Sequence, residues 1–205
     1  MWEKKNAPLA GVASAVLFIV AAVVMNNTTF MPPAADVVSF YEQNSGQVML
    51  AAYIGLLSAF FLVWFAASAG RAVQAVSTRL GTIVVAGGAL AAVLSMVAFM
   101  AHSIGAERAV QQAPIDPGAA AATFDLAAAV NGTPFGMCLG LMIAAFAVAA
   151  GRAGIGGRWL VWLSAITAVA LISPASYLFG GLGMLWIAIV GVVLYRRPVT
   201  EPGLA

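Results

Sequence analysis

Five polar residues in this 205-residue chain stand where chemistry could converge: His102, Glu107, Arg108, Asp125 and Asn131. An imidazole, two carboxylates, a guanidinium and an amide can together bind a cation, pass a proton or hold a polar head group. The spacing weakens that reading. His102 and Glu107 are five apart and align poorly on one helix face, and Asp125 has to arrive from a separate segment. The plainer alternative is a solvated outer loop in which Arg108 pairs with Asp125. No residue is assigned a catalytic role.

The rest of the sequence excludes most other chemistry. It holds one histidine and one cysteine, Cys138 in an apolar run, so neither an internal disulfide nor a CxxC or histidine-rich metal pattern can form. HExxH, GxSxG and P-loop patterns are missing. Both lysines lie at the N-terminus, which rules out an intramembrane Schiff base. Met96, Met100, Met137 and Met142 read as packing rather than haem ligands. No cofactor and no metal are expected. Basic runs stop at two residues (Lys4-Lys5, Arg196-Arg197), so no stripe for nucleic acid exists.

The elements that must carry these residues follow from composition. The chain is 63% hydrophobic and 8% charged, with a mean hydropathy of +1.01, where soluble domains carry about 25% charge. A sphere of this size in water must cover its surface with polar groups, so most of this surface is expected to face lipid. Apolar runs suited to about 30 Å of hydrocarbon occur at about 8–25, 47–70, 80–101 and 134–150. The uncharged block 159–195 is too long for one crossing and sufficient for two short ones, at about 159–174 and 179–195, reversing between Ser173-Pro174 and Gly180-Gly181. The expected fold is all-α: a single polytopic membrane helix bundle over residues 1–205, with six transmembrane helices. The first run is read as a retained helix rather than a cleaved signal.

Charge sets the orientation. Lys4, Lys5, Arg71, Arg79, Arg152, Arg158, Arg196 and Arg197 fall on one side of a six-helix arrangement, and only Arg108 on the other. The positive-inside rule makes the first side cytoplasmic, so both termini are expected inside, in the plasma membrane. Trp2, Trp64, Trp159 and Tyr195 lie near that inner boundary, as amphipathic rings prefer. Asp36, Glu42, Glu107, Asp116 and Asp125 fall outside. Of the outer segments, 34–44 reads as a short interfacial helix with an apolar side of Val37, Val38, Phe40 and Tyr41. The segment 102–133 holds a turn at Asp116-Pro117-Gly118 and a helix-prone stretch 119–130. No ionisable residue falls in the middle of a span, where pumps, proton relays and voltage sensors place theirs.

Gly132, Gly136 and Gly140, continued by Ala144, form a small-residue row on the helix that opens at Asn131-Gly132-Thr133-Pro134. Such rows admit close helix neighbours. The row is expected to pack within the chain, with Gly87-Gly88 as the candidate partner, or else against another subunit. Thr133 is expected to cap the helix, with Pro134 in its first turn. Ala69-Gly70-Arg71-Ala72 and Ala150-Gly151-Arg152-Ala153 echo one another at two helix ends, through either a hairpin repeat or shared membrane-exit chemistry.

Phe40-Tyr41, Gly46-Gln47, the run Phe60-Phe61-Leu62-Val63-Trp64-Phe65, Gly70-Arg71, Gly157-Arg158-Trp159-Leu160, and Trp186 ahead of Tyr195-Arg196-Arg197 together resemble a recurrent type of actinobacterial six-helix membrane protein of unassigned function. The resemblance implies the topology and transfers no catalytic residue. Many of those relatives carry Leu-Pro where this chain has Gly156-Gly157. The first functional expectation is a non-enzymatic accessory or scaffolding subunit of a membrane assembly, with the bilayer and a membrane-protein partner or a second copy as its contacts. The second is a carrier or binder of an apolar or lipidic small molecule. The third is a membrane-embedded enzyme using His102, Glu107 and Asp125.

Overall fold

The computed structural model describes residues 6–25 and 32–197, and the described residues contain helices and no strand. Lys4, Lys5, Trp2 and the Asn26-Asn27-Thr28-Thr29 stretch lie outside them. A 3₁₀ turn, Ala7–Leu9, leads into α1 (Ala10–Met25). There follow α2 (Ala34–Gln74), α3 (Thr78–Val110), α4 (Pro117–Asn131), α5 (Thr133–Ala153) and α6 (Gly157–Ile172). A second 3₁₀ turn, Ser176–Leu178, precedes α7 (Gly180–Tyr195).

Four segments are long and apolar enough to cross a membrane: Ala7–Met25, Ala34–Gln74, Thr78–Val110 and the pair α4–α5, Pro117–Ala153. The helices α6 and α7 are apolar but have 16 residues each, about 24 Å of rise. The outward faces carry large apolar side chains from every side, among them Val23, Tyr53, Phe60, Val93, Trp162 and Val169. Water would disfavour so continuous a surface.

Close approaches at glycine fix the directions of the helices. A Cβ on Gly81 would stand 2.9 Å from the Gly70 carbonyl, so α2 and α3 touch backbone to backbone beside their shared turn. A Cβ on Gly87 would meet the Cys138 carbonyl at 2.9 Å and the Met142 amide at 3.0 Å, and Gly132 shares a cavity with Phe99 and His102, so α5 runs antiparallel to α3. A Cβ on Gly191 would meet the Pro8 carbonyl at 2.7 Å, and one on Gly11 the Ile187 carbonyl at 2.9 Å, so α7 runs antiparallel to α1. Arg71, Arg79, Arg152, Arg158, Arg196 and Arg197 therefore gather at one end of the bundle, with the start of α1. The core between the helices is built on Leu62, Phe65, Met142, Phe146, Trp186 and Ile187. Two polar clips cross it. Ser58 Oγ donates to the Ser14 carbonyl at 2.8 Å, and Trp186 Nε1 donates to Ser164 Oγ at 2.8 Å.

The opposite end differs from the sequence expectation. Residues 34–44 do form a short helix, as expected, but Val37 and Tyr41 on its apolar side face protein. They continue into α2 through a kink at Asn44 (φ −122°, ψ 15°), whose side-chain amide donates to the Phe40 carbonyl at 2.9 Å. Val37 and Tyr41 are fully buried, packed with Ala106, Ala120 and Phe124. Of the side expected at the interface, Val37 and Tyr41 are covered by protein and Val38 and Phe40 partly so, because α3 and α4 offer alanines and glycine that let it approach.

Candidate functional site

The helix α4 runs back along the C-terminal half of α3. Its start is set by Asp116, whose Oδ1 accepts the Ala119 amide at 2.7 Å, with Pro117 in the first turn. Ala120 packs with Ala106, and Ala127 with Ala98 and Ala101. Methyl-sized side chains on both helices permit this approach.

His102 sits in the seam. It is 8% exposed, and its ring meets Phe124 edge-on with centroids 5.1 Å apart. Its Nδ1 lies 3.5 Å from the Tyr41 hydroxyl, at the long end of hydrogen bonding. Phe40 and Tyr41 close on Phe124 from α2, with centroids 6.2 and 6.4 Å away. Three helices thus hold the imidazole in an aromatic nest.

Seven residues after Phe124 the helix breaks. Gly132 (φ −82°, ψ −111°) ends α4 and caps the start of α5, its amide donating to the Ala128 carbonyl at 3.0 Å. Thr133 is not the cap. It is the exposed first residue of α5, and the cap position belongs to Gly132, which makes no side-chain bond. Pro134 occupies the first turn, as its missing amide allows. Since α4 packs antiparallel to α3 and so does α5, the two form one descending path interrupted at Asn131-Gly132. Breaks of this kind in apolar surroundings are tolerated where they line a cavity.

A cavity of about 270 Å³ opens there. Phe18, Ala22 and Met25 of α1 form one wall, Ala98, Phe99 and His102 of α3 another, and Ala127, Ala128 and Asn131 of α4 a third, with Gly132 and Tyr177 at the end. Phe18 stacks on Phe135 (6.0 Å, 6° between planes) and meets Phe99 edge-on at 6.1 Å, which braces the floor. None of these lining residues is charged. The Asn131 Oδ1 atom is buried and has no hydrogen-bond partner among the described residues. A buried acceptor left unpaired is costly.

The structure therefore brings together His102 and Asn131 of the five polar candidates and disperses the other three. Glu107 is exposed and accepts from Gln111 Nε2 at 3.3 Å. Arg108 is exposed and donates from Nη1 to the Pro114 carbonyl at 2.7 Å. It borders a separate hollow of about 230 Å³ with Asp116 and Thr123. Asp125 is half-buried on α4, and no hydrogen bond joins it to His102 or Arg108 among the described residues. Also among the described residues, no three His, Cys, Asp or Glu side chains are grouped to hold a metal ion.

The glycine row lies against the chain's own α6 and the turn after it. A Cβ on Gly136 would meet Ser176 Cβ at 2.8 Å and the Leu171 carbonyl at 3.1 Å, and one on Gly140 would meet Ile172 Cγ1 at 2.7 Å. Gly132 adjoins Tyr177 Cβ at 3.6 Å. Gly87 does touch α5, but on the different face presented by Cys138 and Met142. The row thus packs within the chain, but against α6 and its following turn rather than against Gly87-Gly88.

Sequence reasoning did not single out Phe18, Tyr41, Phe124 or Tyr177 for this site. They come from four segments and carry no shared spacing. Gly105, which admits the Tyr41 ring, is a usable signal only once the two helices are known to cross there. The chain matches no protein-family model, no curated protein and no solved structure at a significant level. The resemblance to actinobacterial six-helix proteins rests on the residues quoted for it.

Proposed function

We propose that the chain is an integral membrane protein that crosses the bilayer six times with both termini in the cytoplasm, and that its outer half binds an apolar small molecule in the cavity at the α4–α5 break. The crossings are α1, α2, α3, α5, α6 and α7, with α4 folded back on the outer side. The gathering of six arginines at one end of the bundle supports the orientation. The short α6 and α7 cross with local thinning or with their flanking turns.

The observation that carries the binding reading is the cavity, walled by Phe18, Phe99 and Met25 and bordered by His102 and Asn131. Apolar walls with a few convergent polar groups are the usual make-up of a small-molecule site. Binding is preferred over an accessory role because the buried Asn131 oxygen at this cavity lacks a hydrogen-bond partner among the described residues.

Two measurements test the proposal. With Cys138 replaced by serine, single cysteines at Gln112 and Thr123 should react with a membrane-impermeant maleimide on intact cells, and cysteines at Gln74 and Arg152 only after permeabilisation. Equal labelling of all four would sink the topology. Native mass spectrometry of gently extracted protein should show a bound small mass. Ala128→Phe and Ala22→Phe, which fill the cavity from two walls, should each remove it. An adduct that survives both variants, or a stoichiometric partner chain in place of an adduct, would overturn the binding reading.

A further inference from the structure

The chemistry of the cavity selects its ligand. We infer that the site takes an uncharged, hydroxyl-bearing apolar molecule, whose hydroxyl lies between Asn131 and His102 and whose hydrocarbon runs along Phe18 and Phe99 toward the bilayer. This inference rests on the cavity being a binding site, as proposed above.

Three observations lead to it. First, the Asn131 side chain offers a buried oxygen without a partner among the described residues. That atom is an acceptor, so the complementary group is a donor. Second, the Tyr41 hydroxyl lies 3.5 Å from Nδ1 of His102, and in either ring tautomer the imidazole on the cavity wall offers a hydrogen-bonding nitrogen, as donor or as acceptor. A hydroxyl group donates once and accepts as well, so it can satisfy the Asn131 oxygen and still meet the imidazole in either tautomer. Third, no charged residue lines the cavity. Burying a carboxylate, phosphate or ammonium there without a counter-charge is strongly unfavourable.

Size agrees with this. A dry cavity of about 150 Å³ holds benzene, so about 270 Å³ holds a head and the first part of a chain or ring system. The remainder of a longer molecule must lie in lipid. Long-chain or isoprenoid alcohols, quinols and neutral acylglycerols all fit this description.

The test uses the full-length chain in detergent, first delipidated, with four probes of one chain length: hexadecanol, its methyl ether, palmitate and hexadecylamine. Binding is read by native mass spectrometry from an equimolar mixture. Hexadecanol should be retained about tenfold over the ether, because sites built around a hydrogen bond reject analogues that lack it, and over both charged probes. Asn131→Leu should erase the preference for alcohol over ether while leaving both bound. His102→Phe, which keeps the ring packing on Phe124, should narrow it. Alcohol and ether retained equally by the unmodified chain would overturn the hydroxyl inference while leaving the cavity reading intact, and so would preferential retention of a charged probe. Retention of every probe unchanged by Ala128→Phe would instead overturn the cavity reading itself.

Discussion

The Gly105 Cα lies against the phenol ring of Tyr41: a Cβ at Gly105 would fall within 2.7 Å of the ring carbon Cζ. Tyr41 is fully buried, and its hydroxyl is the group that faces His102. The absence of one methyl group on α3 is thus what lets the N-terminal arm of α2 enter the seam and meet the imidazole on the cavity wall.

Gly105→Ala should expel the Tyr41 ring and cost about 1–3 kcal/mol, the usual effect of overpacking. Tyr41→Phe keeps the packing, removes only a long hydrogen bond, and should cost less than about 1 kcal/mol. Thermal unfolding in detergent, followed by circular dichroism, separates the two. A Gly105→Ala protein as stable as the parent would show that the ring is not seated there.

Ser164 and Trp186 give a second prediction. The indole is 1% exposed and donates to Ser164 Oγ at 2.8 Å, while Ser164 donates to the Leu160 carbonyl at 2.7 Å. Phe65 and Phe146 pack edge-on against the same indole. Ser164→Ala leaves the indole N–H buried and unpaired. In a cycle with Trp186→Phe, the coupling energy should be about 0.6–1.7 kcal/mol, the range measured between membrane helices. Strictly additive effects would mean that the hydrogen bond contributes nothing to the α6–α7 contact.

The glycine row supplies a third. Gly140→Val should destabilise the α5–α6 hairpin by about 1–3 kcal/mol, since Ile172 and the Ala168 carbonyl occupy the added volume. Gly181, with nothing within 4 Å of its absent Cβ, should accept alanine with little change or a small gain in helix propensity. Limited proteolysis at the 154–156 turn reports the hairpin directly. Equal resistance in Gly140→Val and the parent would return the row to the expectation of a surface that meets another subunit.

Much of the helical organisation was legible in the chain. Apolar runs and breaks are local properties, so Pro117, Gly132-Thr133-Pro134, the Ser173–Phe179 reversal and the helices they bound could be read without knowing any neighbour. The positions of the arginines were equally readable. The candidate site was legible only in part. His102 and Asn131 drew notice because polar residues are scarce here, but Glu107, Arg108 and Asp125 drew the same notice for the same reason. Nothing local distinguishes them. Their separation depends on the helical phase of α3 and α4, which turns His102 inward and Glu107 and Arg108 outward.

The echo between 69–72 and 150–153 shows the same limit. Gly70 lies in backbone contact with Gly81, whereas a Cβ on Gly151 would meet only Val161 at 3.7 Å. Identical residues at two helix ends do different work, because one hairpin is pinched and the other is open.

By itself the sequence determined that the chain is helical, apolar enough for lipid, and sorted in charge, since hydropathy and charge act residue by residue. Tertiary structure alone decided that Val37 and Tyr41 of the 34–44 helix are buried against α3 and α4, that α4 folds back along α3, and that His102 and Asn131, 29 positions apart, border one cavity. Those outcomes turn on which small residues let two backbones approach. Such closeness belongs to pairs of helices, and no single stretch of chain encodes it.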